Sequence, residues 1–215
     1  MTWDRLSIPW QAAFEEAWDA YRAGSLPIGA VTAHAETGAI ITRARNRRWE
    51  REDYPFSGIH NQEIMHAEVQ AILMLDDVEV KRGEAVLYTT MEPCPMCLGM
   101  WFMSNMREMH FASRDPFAGA TDLLNTTWYM RYKKKRAFGP VEELEMISLA
   151  MLLEQNLRER GWRHGEFENR MRAGSPRAVA LAERLAASGE LFKMAEDHTP
   201  VGDVIDTLLE LSSKL

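Results

Sequence analysis

Ala85-Val86-Leu87-Tyr88-Thr89-Thr90-Met91-Glu92-Pro93-Cys94-Pro95-Met96-Cys97 reads as a buried strand that runs directly into the first turn of a helix. Pro93 stiffens the entry to that turn. Pro95 removes a backbone donor that the first helical turn leaves unpaired anyway. The two cysteines of this turn are the only two in the chain, and His66-Ala67-Glu68 begins 28 positions before the first of them. One histidine and two cysteines supply three soft or borderline ligands, the number a catalytic zinc site takes while keeping a position open for water. A structural zinc site would want a fourth Cys or His, and none is close in sequence. Glu68 stands two residues from the histidine, beside a metal rather than on it. Two blander readings compete: C-x-x-C alone is also a redox pair, and H-x-E alone carries little information. The pairing is what points to catalytic zinc held by His66, Cys94 and Cys97.

Working outward, strand and helix patterns alternate. Ser7-Ile8-Pro9 starts a helix whose apolar residues Trp10, Ala13, Phe14, Ala17, Trp18 and Tyr21 recur every three or four positions, with Gly24 as its stop. Residues 28–33 and 39–44 read as two strands joined by a turn at Glu36-Thr37-Gly38, so the sheet begins antiparallel. A helix over 66–76, a strand over 84–90, a helix over 94–104 and a strand over 108–112 follow. A last strand is expected over 143–148, then a helix through residue 160. The fold class is α/β: a three-layer α-β-α arrangement around a mixed five-stranded sheet, with a C-terminal helical extension. Residues 1–165 are expected to form the zinc-dependent domain and 166–215 the extension. In that extension Ser175-Pro176 and Thr199-Pro200 are helix starts, Gly189 separates the two runs, and residues 175–215 carry a net charge of −3. Residues 46–62 form a long polar connection with Pro55 and Gly58, the kind that serves as a lid.

Composition sets the outer limits. The 215 residues are 46% hydrophobic and 27% charged, enough to fill a core in an ordinary globular chain. No apolar run is long enough to span a bilayer. Met1-Thr2-Trp3-Asp4-Arg5 does not open like a secretory signal, so the cytoplasm is the expected compartment. The net charge of −7 argues against a broad phosphate-binding footprint. The basic run Arg131-Tyr132-Lys133-Lys134-Lys135-Arg136 has two readings: a solvated loop, or a small RNA contact near the mouth of the site.

With these residues identified, the chain resembles the cytidine and deoxycytidylate deaminase superfamily, and within it the branch of guanine deaminases and tRNA adenosine deaminases. The resemblance runs from about Leu26 to Pro116. It rests on Pro27-Ile28-Gly29-Ala30-Val31, Asn46, His66-Ala67-Glu68, Glu92-Pro93-Cys94-Pro95-Met96-Cys97-Leu98-Gly99 and Ser113-Arg114-Asp115. It implies the cytidine deaminase-like fold, Zn2+ as cofactor, Glu68 as the catalytic acid/base, and a homodimer. It also implies that Gly29, Ala30, Asn46, Ala67, Pro93 and Asp115 contact substrate. The chain departs from its relatives in its longer 46–66 connection, in Gln62-Glu63-Ile64-Met65, and in the tail beyond residue 174.

The expected activity is hydrolytic deamination of a nucleobase or nucleoside, an aminopurine by first choice, with release of ammonia. Zinc can lower the pKa of water to about 7. Glu68 is placed to take the proton from water, pass it to the ring nitrogen and later protonate the leaving amine. The alternative is a tRNA adenosine-to-inosine deaminase using the basic run. A zinc-stabilised partner without activity would be expected to lack the glutamate.

Overall fold

The computed structural model describes residues 1–50, 60–76, 79–81, 83–161 and 165–215. Helix α1 (Ile8–Arg22) starts at Ser7, whose backbone oxygen, not its hydroxyl, accepts from Trp10 and Gln11, and it stops at the left-handed Gly24. Strands β1 (Gly29–His34) and β2 (Ile40–Arg45) form an antiparallel hairpin. Then come α2 (Ala67–Leu73), β3 (Ala85–Met91), α3 (Pro95–Met103) and β4 (Glu108–Ser113). The chain continues through α4 (Trp128–Lys133), β5 (Arg136–Phe138) and α5 (Glu142–Arg160). It ends with α6 (Glu166–Gly174), α7 (Pro176–Ser188), α8 (Glu190–Glu196) and α9 (Val201–Ser212).

The sheet order is β2-β1-β3-β4-β5, antiparallel across its first two pairings and parallel across the last two. Helices α1 and α5 cover one face, α2 and α3 the other, which is the expected three-layer arrangement. Register brings four segments to one edge of the sheet. Gly29 pairs with Arg45, Ala30 with Thr89 and Met91 with Ser113. The start of β1 therefore lies beside the ends of β2, β3 and β4.

The fifth strand differs from expectation. Residues 143–148 lie inside α5, where Leu144, Ile147, Ser148 and Met151 are buried at helical spacing behind an acidic first turn of Glu142, Glu143 and Glu145. The actual edge strand is three residues long, too short to show alternation. The basic run is exposed at Arg131, Tyr132, Lys134 and Arg136, as a solvated segment would be, but it is not a loop. It is the end of α4 running into β5, with Lys135 buried and its Nζ donating to the backbone oxygens of Trp101 (2.5 Å) and Ser104 (2.8 Å). Arg136 pairs with Glu108 at the start of β4, so the run sits at the end of the sheet opposite the cysteines.

The C-terminal helices share the core of the earlier ones. Leu181, Leu185, Leu191, Ile205 and Leu208 pack in one cluster with Phe14, Trp18 and Leu153. Each such fully buried side chain contributes about 1.5–3 kcal/mol. Where two runs were expected after residue 174 there are three helices, because Gly189 separates α7 from the short α8 and α9 follows; α6 precedes all three. Polar ties fix this layer: Trp18 Nε1 donates to Thr199 O (3.1 Å), and Tyr21 Oη donates to the buried Glu154 (2.6 Å). No described helix is long and apolar enough to cross a membrane.

Gly29 is where α1 and the sheet come closest. A Cβ there would lie 2.0 Å from Ala13 O and 2.6 Å from Ala17 N, both helix backbone that cannot step aside. Gly29→Ala is expected to lower the urea midpoint at unchanged m-value, at or above the roughly 1–3 kcal/mol typical of overpacking. An unchanged midpoint would mean that the helix and strand are not in this contact.

Candidate active site and metal centre

Two helix starts meet at the shared sheet edge. His66 is the residue before α2, and Cys94 the residue before α3, with Cys97 one turn inside it. His66 Nδ1 lies 3.6 Å from Cys94 Sγ and 3.4 Å from Cys97 Sγ, and the two sulfurs are 3.5 Å apart. Zinc bonds of about 2.3 Å to sulfur and 2.0–2.1 Å to nitrogen, arranged tetrahedrally, would separate ligand atoms by roughly 3.6–3.8 Å. The three donors already stand at nearly that spacing, and among the described residues they form the one group of His, Cys, Asp and Glu able to hold a metal. The donor set and its geometry fit zinc. Backbone N–H groups at both helix starts favour thiolate there.

The electrostatics follow from the crowding. Without metal, the thiols share a proton: Cys94 is lowered to about 4, first by the hydrogen bond from Cys97 and then, against burial, by His66. Cys97 is pushed up by holding that proton, by burial and by the charge of Glu68. The opposite shifts describe one proton on a pair, and a metal would displace it. Burial lowers His66, but Cys94 and Glu68 outweigh it and its pKa is raised. Glu68 is fully enclosed, its Oε2 3.5 Å from Cys97 Sγ, and burial raises its carboxyl against the pull of His66.

Above the three donors lies a cleft of about 180 Å³. Larger depressions exist near Met1 and near Tyr132, but neither touches His66, Glu68 or the cysteines. Leu26, Ile28, Arg48, Trp49, Met91 and Glu92 contribute to its walls. So do Asp115, Phe117, Ala118, Leu152, Asn156, Phe167 and Met171. Glu92 braces the end of β3: its carboxylate accepts from the backbone N–H of Asp115 (3.1 Å) and Thr121 (3.0 Å) and from the Thr121 hydroxyl.

The residues expected to contact substrate divide. Asp115 lines the cleft, but its Oδ1 accepts from Phe117 N (2.9 Å) and Ala118 N (3.0 Å), closing its own turn. Burial raises its carboxyl more than those two bonds lower it. Pro93 is buried below the cleft and accepts from Ala120 N through its carbonyl (3.0 Å). Ala67 packs with Ala30 and Ala71 on the α2 side of the sheet. Gly29 faces α1, so in the Pro27-to-Val31 stretch the cleft wall is Ile28, with Leu26 just before it. Asn46 is fully buried. Its Oδ1 accepts from Ser25 Oγ (2.9 Å) and Arg48 N (3.0 Å), and its Nδ2 has no partner among the described residues. It holds the turn that delivers Arg48 and Trp49 to the cleft. Residues 51–59, most of the expected lid, lie outside the described residues.

Sequence reading missed the far wall. Phe167 and Met171 are four apart on α6, a helical pair that periodicity could have shown; Asn156 on α5 gave no signal.

Residues 5–113 match the model of the cytidine and deoxycytidylate deaminase zinc-binding region. The chain belongs to the cytidine and deoxycytidylate deaminase family. It is 36% identical over 129 residues to a tRNA-specific adenosine deaminase of Bacillus subtilis, covering 58% of this chain and 70% of that one. A tRNA-specific adenosine deaminase of Agrobacterium fabrum is 31% identical over 52% of this chain and 68% of its own. Among solved structures, guanine deaminase from Nitrosomonas europaea superposes with a TM-score of 0.52 at 19% identity, over 70% of this chain and 86% of that one, a likeness of fold. The chain is thus a zinc-binding deaminase, a hydrolase acting on the C–N bonds of nucleobases or nucleosides.

About one zinc per chain is expected in the purified protein. Cys97→Ala, which removes the most enclosed ligand, should lower zinc content to a small fraction of that value by elemental analysis. Stoichiometric zinc retained in Cys97→Ala would remove Cys97 from the ligand set.

Proposed function

We propose that the chain deaminates a free aminopurine base or nucleoside, with His66, Cys94 and Cys97 holding zinc and Glu68 moving the protons. The observation that carries the small-substrate reading is the cleft's far wall, where Phe117 of the loop after β4 meets Phe167 of α6 edge to face at 5.2 Å. The cleft is smaller than the roughly 300–1,000 Å³ common for drug-sized ligands, and the basic run over residues 131–136 is at the other end of the sheet. Zinc, when bound, would supply the Lewis acidity that makes water a nucleophile near neutral pH. Leu26, Ile28, Met91 and Leu152 line the cleft with apolar surface against which a flat base can pack and water is excluded. Glu68, whose carboxyl burial holds above its usual range, is placed to accept and return a proton. Its carboxylate takes one proton from the attacking water and delivers it to the ring nitrogen, then takes that water's second proton from the new hydroxyl on the ring carbon and delivers it to the departing amine.

The second reading is a tRNA adenosine deaminase. It is favoured by the 36% identity to the Bacillus subtilis enzyme of that name. Ammonia release measured across free bases, nucleosides and tRNA separates the two. Turnover of a free base or nucleoside with little salt dependence supports the first reading. Turnover of tRNA alone, falling steeply with salt, would replace it with the second. In either case Glu68→Gln should keep zinc and lose at least about 10⁴ in kcat, the upper end for one acid/base group. A variant that keeps zinc and more than about a tenth of wild-type kcat would exclude Glu68 as the shuttle.

A homodimer through the α2–α3–α4 face belongs to the same reading. Leu73 and Met74 at the end of α2, Met96 and Met103 on α3, and Trp128 and Tyr132 on α4 are exposed together, with Trp128 stacked on Tyr132 at 5.3 Å. Gly99 on α3 has open space where its Cβ would be. A contiguous exposed apolar patch marks an interaction site, and these side chains are the ones that would form it. Sedimentation should give a dimer that Met103→Glu with Trp128→Glu converts to monomer; a wild-type monomer at micromolar concentration would refute it.

A further inference from the structure

The family match ends at residue 113, yet the cleft wall continues through Leu152, Asn156, Phe167 and Met171. Asn156 is the one polar group of α5 in that wall. It is 8% exposed, and its Nδ2 donates to Leu152 O in its own helix at 3.0 Å. Only the amide nitrogen can donate to a carbonyl, so the orientation of the side chain follows from chemistry and not from assignment. The remaining atom, Oδ1, is an acceptor to which no described residue donates, in a stretch of wall whose α5 and α6 neighbours Leu152, Phe167 and Met171 are apolar.

We propose that Asn156 is a specificity-determining residue whose Oδ1 reads the ring N–H that a sugar replaces in nucleosides, so that the cleft selects a free base. This deepens the small-substrate reading and rests on it. Glu68 enters the cleft from α2 on one face of the sheet, Asn156 from α5 on the other. A base whose amine is at Glu68 turns its opposite edge toward α5. In cytosine and adenine, the nitrogen that carries the sugar lies on the side away from the amine. A free base offers a hydrogen there, which Oδ1 can accept. A glycosylated base offers none and leaves Oδ1 unpaired, the situation in which a polar site discriminates most strongly. The Phe117–Phe167 pair and Met171 line the same cleft and add bulk to the wall that Asn156 belongs to.

The test uses ligands without a reactive amine, so it does not depend on which base is turned over. Binding of hypoxanthine and of 9-methylhypoxanthine to the zinc-loaded protein is compared by calorimetry. The wild type should prefer hypoxanthine by about 10- to 100-fold. Asn156→Leu, close in size but without the acceptor, should reduce the preference to less than about threefold by weakening hypoxanthine alone. Asn156→Asp, which keeps an acceptor oxygen, should retain it. Equal wild-type affinity for the two ligands, no binding of either, or an unchanged preference in Asn156→Leu would each overturn the proposal. Absence of deaminase activity on every base and nucleoside would instead sink the small-substrate reading. A wild type that binds hypoxanthine selectively while deaminating only tRNA would sink that reading too.

Discussion

The convergence of His66 Nδ1, Cys94 Sγ and Cys97 Sγ to within 3.4–3.6 Å of one another is the constraint on which the remaining architecture depends. The ligands come from two helices, so the starts of α2 and α3 must reach the same sheet edge. In α3 this is local: β3 ends at Met91 and the helix begins at Pro95, leaving only Glu92, Pro93 and Cys94 between them. In α2 it is topological. β1 runs antiparallel to both neighbours, which sends the end of β2 back to the edge where β3 ends. Gly29 lets α1 lie against that edge without displacing β1, and Thr90 Oγ1 accepts from Gly29 N at 3.1 Å to hold the two strand ends together. A crevice outside the carboxyl ends of parallel strands β3 and β4 is where sheets of this kind place ligands.

Crowding three ligands and a carboxyl into one enclosed corner sets their chemistry. Cys94 and Cys97 cannot both be thiolates without a cation between them, so the metal-free pair shares a proton and leans against His66 and Glu68. Metal binding and proton release are therefore linked events. Glu68 experiences the same enclosure without being a ligand. A carboxyl whose ionised form is penalised by burial, 3.5 Å from a ligand sulfur, is suited to exchanging protons and poorly suited to remaining a fixed charge.

Legibility in the sequence followed how local each feature is. The two helix starts and the strand before Cys94 were readable because a handful of neighbouring residues encode them, and the hairpin with Gly38 at its turn was readable for the same reason. The edge strand β5 was not: three residues cannot display an alternation, and the run containing it looked like a solvated basic loop. Only tertiary structure shows that Lys135 is turned inward to cap the end of α3 through Trp101 and Ser104. The residues 143–148 show the converse failure, an apolar stretch whose period was misread because α5 is buried on most of its circumference. The zinc ligands and Glu68 were recognisable as a set of chemical types at a set spacing. Asn46 was recognisable as a position, but not as a side chain turned toward Ser25.

The two halves of the site therefore have different origins in the chain. Chemistry comes from the segment common to the family: the ligands, the acid/base and Glu92, which holds the loop after β4. Shape comes from residues after 113, where Phe117, Asn156, Phe167 and Met171 close one side of the cleft. Those four belong to a loop and two helices whose packing is secured elsewhere. Gly174 at the end of α6 sits so close to Pro116 that a Cβ would meet its ring at 2.9 Å. α5 is tied to Ser25 by Gln155 (2.7 Å) and to α1 by the Tyr21–Glu154 bond. Because α7, α8 and α9 fill the core behind α5, the C-terminal helices support a wall of the cleft rather than lying apart from it. A change in how that layer packs would move the wall while leaving the ligands in place, so substrate choice can vary here without disturbing the deamination chemistry.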